Sequence, residues 1–408
     1  MVTERVRGSR SYSLGFFAGV GSRHETPALH GASHFLEHAL FKGTRRRSAE
    51  QISAAVEEVG GDINAYTTKE YTCFYARVLA EDAALATDVL ADMITESTLR
   101  SGDVESERNV IIDEISMHAD DPADLAGDLV CAALLPSPGL GAPVIGSPDS
   151  IAVLSRRQLH DFWRRHYRPD NLVVAAVGAV DHDRLVEQLA GFPGLLEARG
   201  RAPQPRSWPA GVPEGPRLIT HPRRFEQSTV SLAYPGPGLF DEDRFATGLL
   251  SVVLGGGMSS RLFVEVRERR GLAYGIEAGE SSYSDAGFWS VDWQCAPGKV
   301  AEILGLVQQC LAEVVEHGVT AEELRRAQGQ MRGQTLLSYE SPQSRMSRWG
   351  SSTLAADDRS IPDLLSGYDA VTVPDVAGCA ERLLSSDPVL CVVGPRSDSR
   401  PLRRLIHA

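Results

Sequence analysis

Cysteine, lysine and long apolar runs are all scarce in this chain. Six cysteines are spread over 408 residues, at 73, 131, 295, 310, 379 and 391, with no CxxC and no close pair. A chain this long can bury a sufficient core without disulfides, so the thiols are expected to be reduced and mostly internal. No stretch approaches the roughly 20 apolar residues of a membrane-spanning helix. The N-terminus has no apolar segment ending in a small-residue cleavage site, and the first strand is expected about ten residues in, which speaks against a secretory or transit peptide. Positive charge is also short. Lysine occurs only at 42, 69 and 299, and 41 basic against 54 acidic residues give a formal charge of −13. That balance excludes the basic face a nucleic-acid binder needs to displace phosphate counterions. A cytoplasmic protein with neither nucleic-acid nor membrane partners is expected.

Proline, by contrast, is concentrated. Residues 192–218 carry Pro193, Pro203, Pro205, Pro209, Pro213 and Pro216 with no sustained periodicity. Proline at this density fixes φ and removes donors, so residues 193–216 read as a semi-rigid linker between a domain at 1–192 and another at 217–408. The halves look like a divergent repeat. Each opens on an apolar strand (residues 11–19 and 228–234), turns at a helical elbow (Pro122 and Pro342) and closes on a strand ending in glycine (Gly178 and Gly394). Strand-like runs at 72–80 and 287–295 alternate with helical patterns at 85–94 and 300–315. The predicted class is α+β: two homologous domains, each a mostly antiparallel sheet with helices packed on one face.

The chemistry concentrates in HGASHFLEHALFKGT, residues 30–44. Residues 33–41 suit a helix, and His34 and His38 at i, i+4 then project from one face, where both imidazoles can reach a single Zn²⁺. Glu37 lies beside them. HxxEH inverts the HExxH order but implies the same division of labour, two histidine ligands and a carboxylate base. A catalytic zinc usually takes three protein ligands. The candidate third lies in SERNVIIDEISMHADDP, residues 106–122, where Val110, Ile111 and Ile115 suggest an apolar stripe and Glu107 and Glu114 stand two helical turns apart. Spacing alone leaves Glu114 equally a ligand or a solvated helix residue, with Glu107 able to orient a ligand histidine. His30 precedes Gly31 and reads as an exposed or capping residue. His118 reads as surface.

These motifs, in the order HFLEHALFKGT, GGDINAYTTKEYTCFYARV and ERNVIIDEISMHADDP, resemble the inverzincin peptidases of the pitrilysin, insulin-degrading enzyme and mitochondrial processing peptidase family. The likeness covers nearly the whole chain and is strongest to the bacterial, processing-peptidase-like branch. It implies one Zn²⁺ per chain held by His34, His38 and Glu114, which stands 76 residues after His38. It implies Glu37 as the base and Glu107 as the residue supporting the site. It further implies that Arg267 and Tyr274, in VRERRGLAYGI, hold substrate and stabilise the oxyanion, and that Asn64, Ala65 and Tyr66 lie on an edge strand along which extended peptides pair. The second half has no HxxEH, and its counterpart near residues 255–262 lacks ligands. One departure from the family pattern is a missing segment like LxNGLRV before VTE, so either the start of the chain is mis-assigned or the first sheet is trimmed at its edge. The implied activity is that of a zinc metalloendopeptidase acting on short or unfolded peptides in a chamber, with a homodimer, or a heterodimer with a related chain, forming that chamber. The alternative is a non-catalytic or heteromeric partner subunit.

Overall fold

The structure is a computed structural model that describes residues 1–135, 139–195, 215, 217–395 and 399–406. Most of the proline-rich stretch 193–216 therefore lies outside the described residues. Two compact units are present. One is built from the described residues of Met1–Met117, Pro138–Trp208 and Leu336–Asp358, the other from those of His118–Ser137, Pro209–Thr335 and Arg359–Ala408. Each unit thus takes one segment from the opposite half of the sequence, an exchange absent from a contiguous division of the chain.

The first unit is organised on strands β1 (Val2–Arg5), β2 (Ser11–Ala18), β3 (Asp62–Thr67), β4 (Thr72–Leu79) and β5 (Leu172–Gly178), in the spatial order β1-β5-β2-β4-β3. Only the β1–β5 pair is parallel. The second contains β6 (Arg217–Pro222), β7 (Ser228–Gly236), β8 (Ala273–Ser282), β9 (Gly287–Cys295) and β10 (Val389–Gly394), ordered β6-β10-β7-β9-β8. Again only its outer pair, β6–β10, is parallel. The repeat read from the elbows and closing strands is therefore a repeat of topology, and the α+β class holds.

The first strand does not begin ten residues in. Val2–Arg5 forms β1, registered so that Val2 pairs with Ala175 and Arg5 with Gly178. It is held from a second direction as well. Glu4 accepts a hydrogen bond from Trp349 Nε1 at 2.7 Å and an ion pair from Arg345, both on the helix Pro342–Leu354.

That helix explains why β2 and β5 read as nearly continuous apolar runs. Leu14, Phe16, Phe74, Ala76, Val174 and Ala176 face the main core with the helices of the same half. Phe17, Cys73, Val173, Ala175 and Val177 point the other way, against Met346 with Trp349 and Leu354 flanking. Both faces are dry, so the alternation expected of a half-exposed antiparallel sheet is lost. In the second unit the helix Pro122–Leu134 packs on β7 and β10 in the same manner. Both exchanged helices start the same way, with Asp121 or Ser341 as N-cap and proline in the first turn. All six cysteines are buried and none forms a disulfide.

The approach of the helix Pro342–Leu354 to the sheet depends on glycine. A Cβ on Gly350 would fall 2.1 to 2.3 Å from carbons of the Phe17 ring. Phe17 is completely buried and has no room to retreat. Gly350→Ala is expected to destabilise the protein by about 1–3 kcal/mol through overpacking. Urea denaturation should show a lower midpoint with an unchanged slope.

Candidate metal centre

The two histidines lie on the helix Ala32–Leu40, whose apolar positions Phe35, Leu36, Ala39 and Leu40 are buried in the main core. Burial of that stripe leaves His34, Glu37 and His38 half-buried on the opposite side. The helix starts at Gly31, with φ +88, a left-handed conformation that costs a Cβ-bearing residue energy. His30 is thus outside the helix. Its Nε2 bonds to the Pro143 carbonyl at 2.9 Å, so it is half-buried and tied to a neighbouring loop rather than free or capping.

The cap comes from elsewhere. Glu25 is buried, and its two carboxylate oxygens accept from the Ser33 and Gly31 amides at 2.7 Å each. A carboxylate there satisfies orphan helix donors and meets the positive end of the helix dipole. Burial nevertheless pushes its pKa up, from 4.5 to about 7, against the lowering effect of the Ser33 and Gly31 hydrogen bonds and the more distant Lys69.

The opposing element is the long helix Ser101–Asp120. Val104, Glu107 and Ile111 form its buried face, joined by Ile112 and Ile115 at the core boundary. Val110, expected in this stripe, is 46% exposed. It sits about 100° around the helix from Ile111, and the buried line runs through the residues three, four and seven positions apart.

Glu107 lies inside that line as a charged residue with only 4% exposure. Its Oε2 is 3.1 Å from His38 Nδ1 and its Oε1 is 2.7 Å from Lys42 Nζ. A carboxylate can only accept, so Nδ1 of His38 is the protonated nitrogen and Nε2 carries the lone pair. Two turns on, Glu114 Oε2 stands 3.3 Å from that Nε2 and 3.8 Å from Nε2 of His34. The imidazole rings meet at 63° with centroids 4.7 Å apart. Glu114 Oε2 is shielded from solvent and makes no hydrogen bond.

His34, His38 and Glu114 each offer a ligand atom within 4.8 Å of the others, and theirs is the one such group among the described residues. Ligands about 2.1 Å from a tetrahedral zinc lie about 3.4 Å apart. The observed separations of 3.3 and 3.8 Å match that requirement. An unbonded carboxylate oxygen facing two imidazole nitrogens is the donor set zinc favours. His118, one turn further, instead faces Asp124 at 3.5 Å.

Glu37 points to the same side. Its Oε2 accepts a 2.6 Å hydrogen bond from Thr67 Oγ1. Burial raises its pKa, and the Thr67 hydrogen bond works in the opposite direction. Thr67 ends β3, one of the two edge strands of its sheet. On that strand the Asn64 side chain accepts from the Ala65 amide at 2.8 Å, and Ala65 faces the main core. The Tyr66 side chain lies on the other face of the sheet, between Tyr71 and Tyr75.

Arg267 and Tyr274 belong to the second unit. Arg267 is on a π-helical turn, Val264–Glu268, and its guanidinium stacks over Phe263 at 4.8 Å and over Tyr274 at 4.6 Å. Tyr274 is 85% exposed. The seven-residue spacing thus becomes a direct cation–π contact. Sequence reasoning missed Glu25, Lys42 and Thr67. The signal for Lys42 was available: it follows His38 by four residues, in the turn just past the end of the helix that carries the histidine it helps to orient.

The chain belongs to the insulinase family, peptidase family M16: residues 1–147 match the insulinase domain and residues 154–331 the peptidase M16 inactive domain. An uncharacterized zinc protease of Streptomyces coelicolor is 44% identical over 408 residues, covering 99% of this chain and 89% of the relative. One from Mycobacterium tuberculosis is 43% identical over 410 residues, covering 100% and 94%. Among solved structures, a protease from Helicobacter pylori aligns with a TM-score of 0.90 at 20% identity, over 96% of each chain. A peptidase M16 inactive domain from Pseudomonas fluorescens aligns at 0.86 and 22%, over 97% of this chain and 95% of the other. At such identity the last two speak to the fold alone. No helix among the described residues is long and apolar enough to cross a membrane.

The Glu25 cap gives a testable pH dependence. Its folded pKa, about 7, lies above the ordinary 4.5, so the native state binds the proton more tightly than the unfolded state between those values. Stability attributable to the group is therefore fully present below about pH 4.5 and lost as pH rises through about 7. The unfolding free energy of the wild type minus that of Glu25→Gln, measured in chelator by urea titration, should fall across that window. A flat difference would contradict the assignment.

Proposed function

We propose that this chain is a zinc metalloendopeptidase that hydrolyses short or unfolded peptides. The observation that carries the reading is the convergence of His34 Nε2, His38 Nε2 and the unbonded Glu114 Oε2, with Glu37 on the same side. The relatives named zinc proteases support the choice of metal. One Zn²⁺ would be held by those three residues, and when bound it supplies Lewis acidity that brings water's ionisation toward neutrality and polarises a carbonyl. Glu107 and Lys42 hold His38 in the tautomer that presents Nε2.

Glu37 accepts a proton from the attacking water as the oxygen–carbon bond forms. It returns that proton to the amine nitrogen as the carbon–nitrogen bond breaks. Arg267 and Tyr274 are assigned to the substrate and to the charge developing on its carbonyl oxygen. The stacking of Arg267, on a π-helical turn, over the exposed Tyr274 supports that role, since such turns recur at functional sites. The outer edge of β3, at Asn64, Ala65 and Tyr66, is assigned to main-chain pairing with extended substrate, which favours peptides over folded proteins. For Tyr66 that contribution comes from its backbone, because its ring faces the other side of the sheet. The reading carries with it a homodimer, or a heterodimer with a related chain, because the family resemblance implies a chamber formed by several domains. The rival is a non-catalytic partner subunit, to which the match of residues 154–331 with an inactive domain lends weight.

Glu37→Gln separates the two. The variant is expected to retain one zinc per chain by elemental analysis and to lose about 10²- to 10⁴-fold in peptide turnover, the usual share of a general base. Equal turnover in the variant, or a wild type free of both zinc and activity, would overturn the proposal.

A further inference from the structure

We propose that Thr67 is a positioning residue for the base: its hydroxyl, bonded to one carboxylate oxygen, sets the orientation in which Glu37 accepts the proton. The inference rests on the reading of Glu37 as the group that takes the proton. Its basis is the 2.6 Å hydrogen bond from Thr67 Oγ1 to Glu37 Oε2. A carboxylate has no proton to give, so Thr67 must donate, and its only hydroxyl hydrogen is committed to that bond.

The donor is set on a rigid support. Thr67 pairs with Thr72 in the β3–β4 register, at the closed end of the hairpin. The hairpin turn is itself tied on, with the Thr68 amide bonded to the Tyr71 carbonyl and the Arg23 amide to the Lys69 carbonyl, both at 2.8 Å. Thr72 is fully buried, and its hydroxyl is spent on the Val20 carbonyl at 2.9 Å, with Thr67 Oγ1 further off at 3.4 Å. It therefore does not compete for the Glu37 oxygen. Alternation along the strand turns Ile63 and Ala65 to the core that contains the histidine helix, and Thr67 continues that face.

The consequence is geometric. A glutamate has three side-chain torsions, and a base must be held within a fraction of an ångström of its working position. Backbone packing of the helix Ala32–Leu40 fixes only the Cα of Glu37. Thr67 fixes the carboxylate end, and it does so from the strand assigned to substrate, so base and peptide backbone share one support.

Thr67→Val keeps the shape and strand preference and removes the hydroxyl, while Thr67→Ser keeps the hydroxyl. With a fluorogenic peptide and zinc-loaded protein, Thr67→Val is expected to lower kcat by about 10- to 100-fold with KM changed less than about twofold, and Thr67→Ser to restore most of it. A residue serving only substrate binding or strand structure would raise KM or lower the folded fraction, and Thr67→Ser would not selectively rescue kcat. A second readout needs no activity. In metal-free protein, the carboxylate stretch of Glu37, isolated by infrared difference against Glu37→Gln, should shift in Thr67→Val and return in Thr67→Ser. An unchanged band, or an unchanged kcat in Thr67→Val of an active enzyme, overturns the proposal. A shifted band in a protein with no peptidase activity supports the positioning contact and instead overturns the reading of Glu37 as a base.

Discussion

One buried carboxylate sets the geometry of the candidate metal centre. Glu107 lies between two helices and is satisfied from both sides of one turn, by the ring N–H of His38 and the ammonium of Lys42. A charge with so little solvent access is costly unless paired and hydrogen-bonded, so the two helices are locked in register wherever Glu107 is ionised. Register is what the site needs. With Glu107 against His38, the helix brings Glu114 over the two Nε2 atoms two turns later. A slip of one residue would swing that oxygen about 100° around the helix axis and leave the histidines without a third donor.

Other contacts fix the remaining pieces from independent directions. Glu25 secures the start of the histidine helix through two amides, and Thr67 secures the end of the Glu37 side chain from the edge strand. The cap, the clasp and the strand belong to different segments of sequence. The proposed chemistry thus stands on a first unit whose β1 edge is in turn held by residues from beyond position 340. Both units share the strand order, and among the described residues the candidate ligand group occurs only in the first, which fits the proposed division in which one repeat carries metal chemistry and the other is assigned the stacked Arg267 and Tyr274.

What was legible in the sequence followed from periodicity and motif. His34 and His38 at i, i+4 had to share a face, and Glu107 and Glu114 seven apart had to share another, because helix geometry is nearly invariant. The repeated elbows at Pro122 and Pro342 announced two copies of one topology. What was hidden depends on contacts between distant segments. No local pattern says that Glu25 caps a helix it precedes by several residues, or that Thr67 meets Glu37 across a sheet–helix interface. Val110 looked apolar and therefore internal, but a helix so rich in β-branched residues buries only the line its register selects. β1 was missed because four residues with two charges carry little strand signal, and its stability comes from β5 and the helix Pro342–Leu354. The exchange of that helix between halves left one trace, the doubly apolar β2 and β5, which pattern reading takes for ordinary buried strands.

The central claim is that two imidazoles and one carboxylate of this chain form a zinc site. X-ray absorption at the zinc edge of the purified protein tests it most directly. The account predicts one zinc per chain, two imidazole nitrogens with their outer-ring scattering at about 2.0–2.1 Å and oxygen ligands, with no sulfur. A thiolate shell at about 2.3 Å, or a protein that retains no zinc after equilibration with it, would contradict the account.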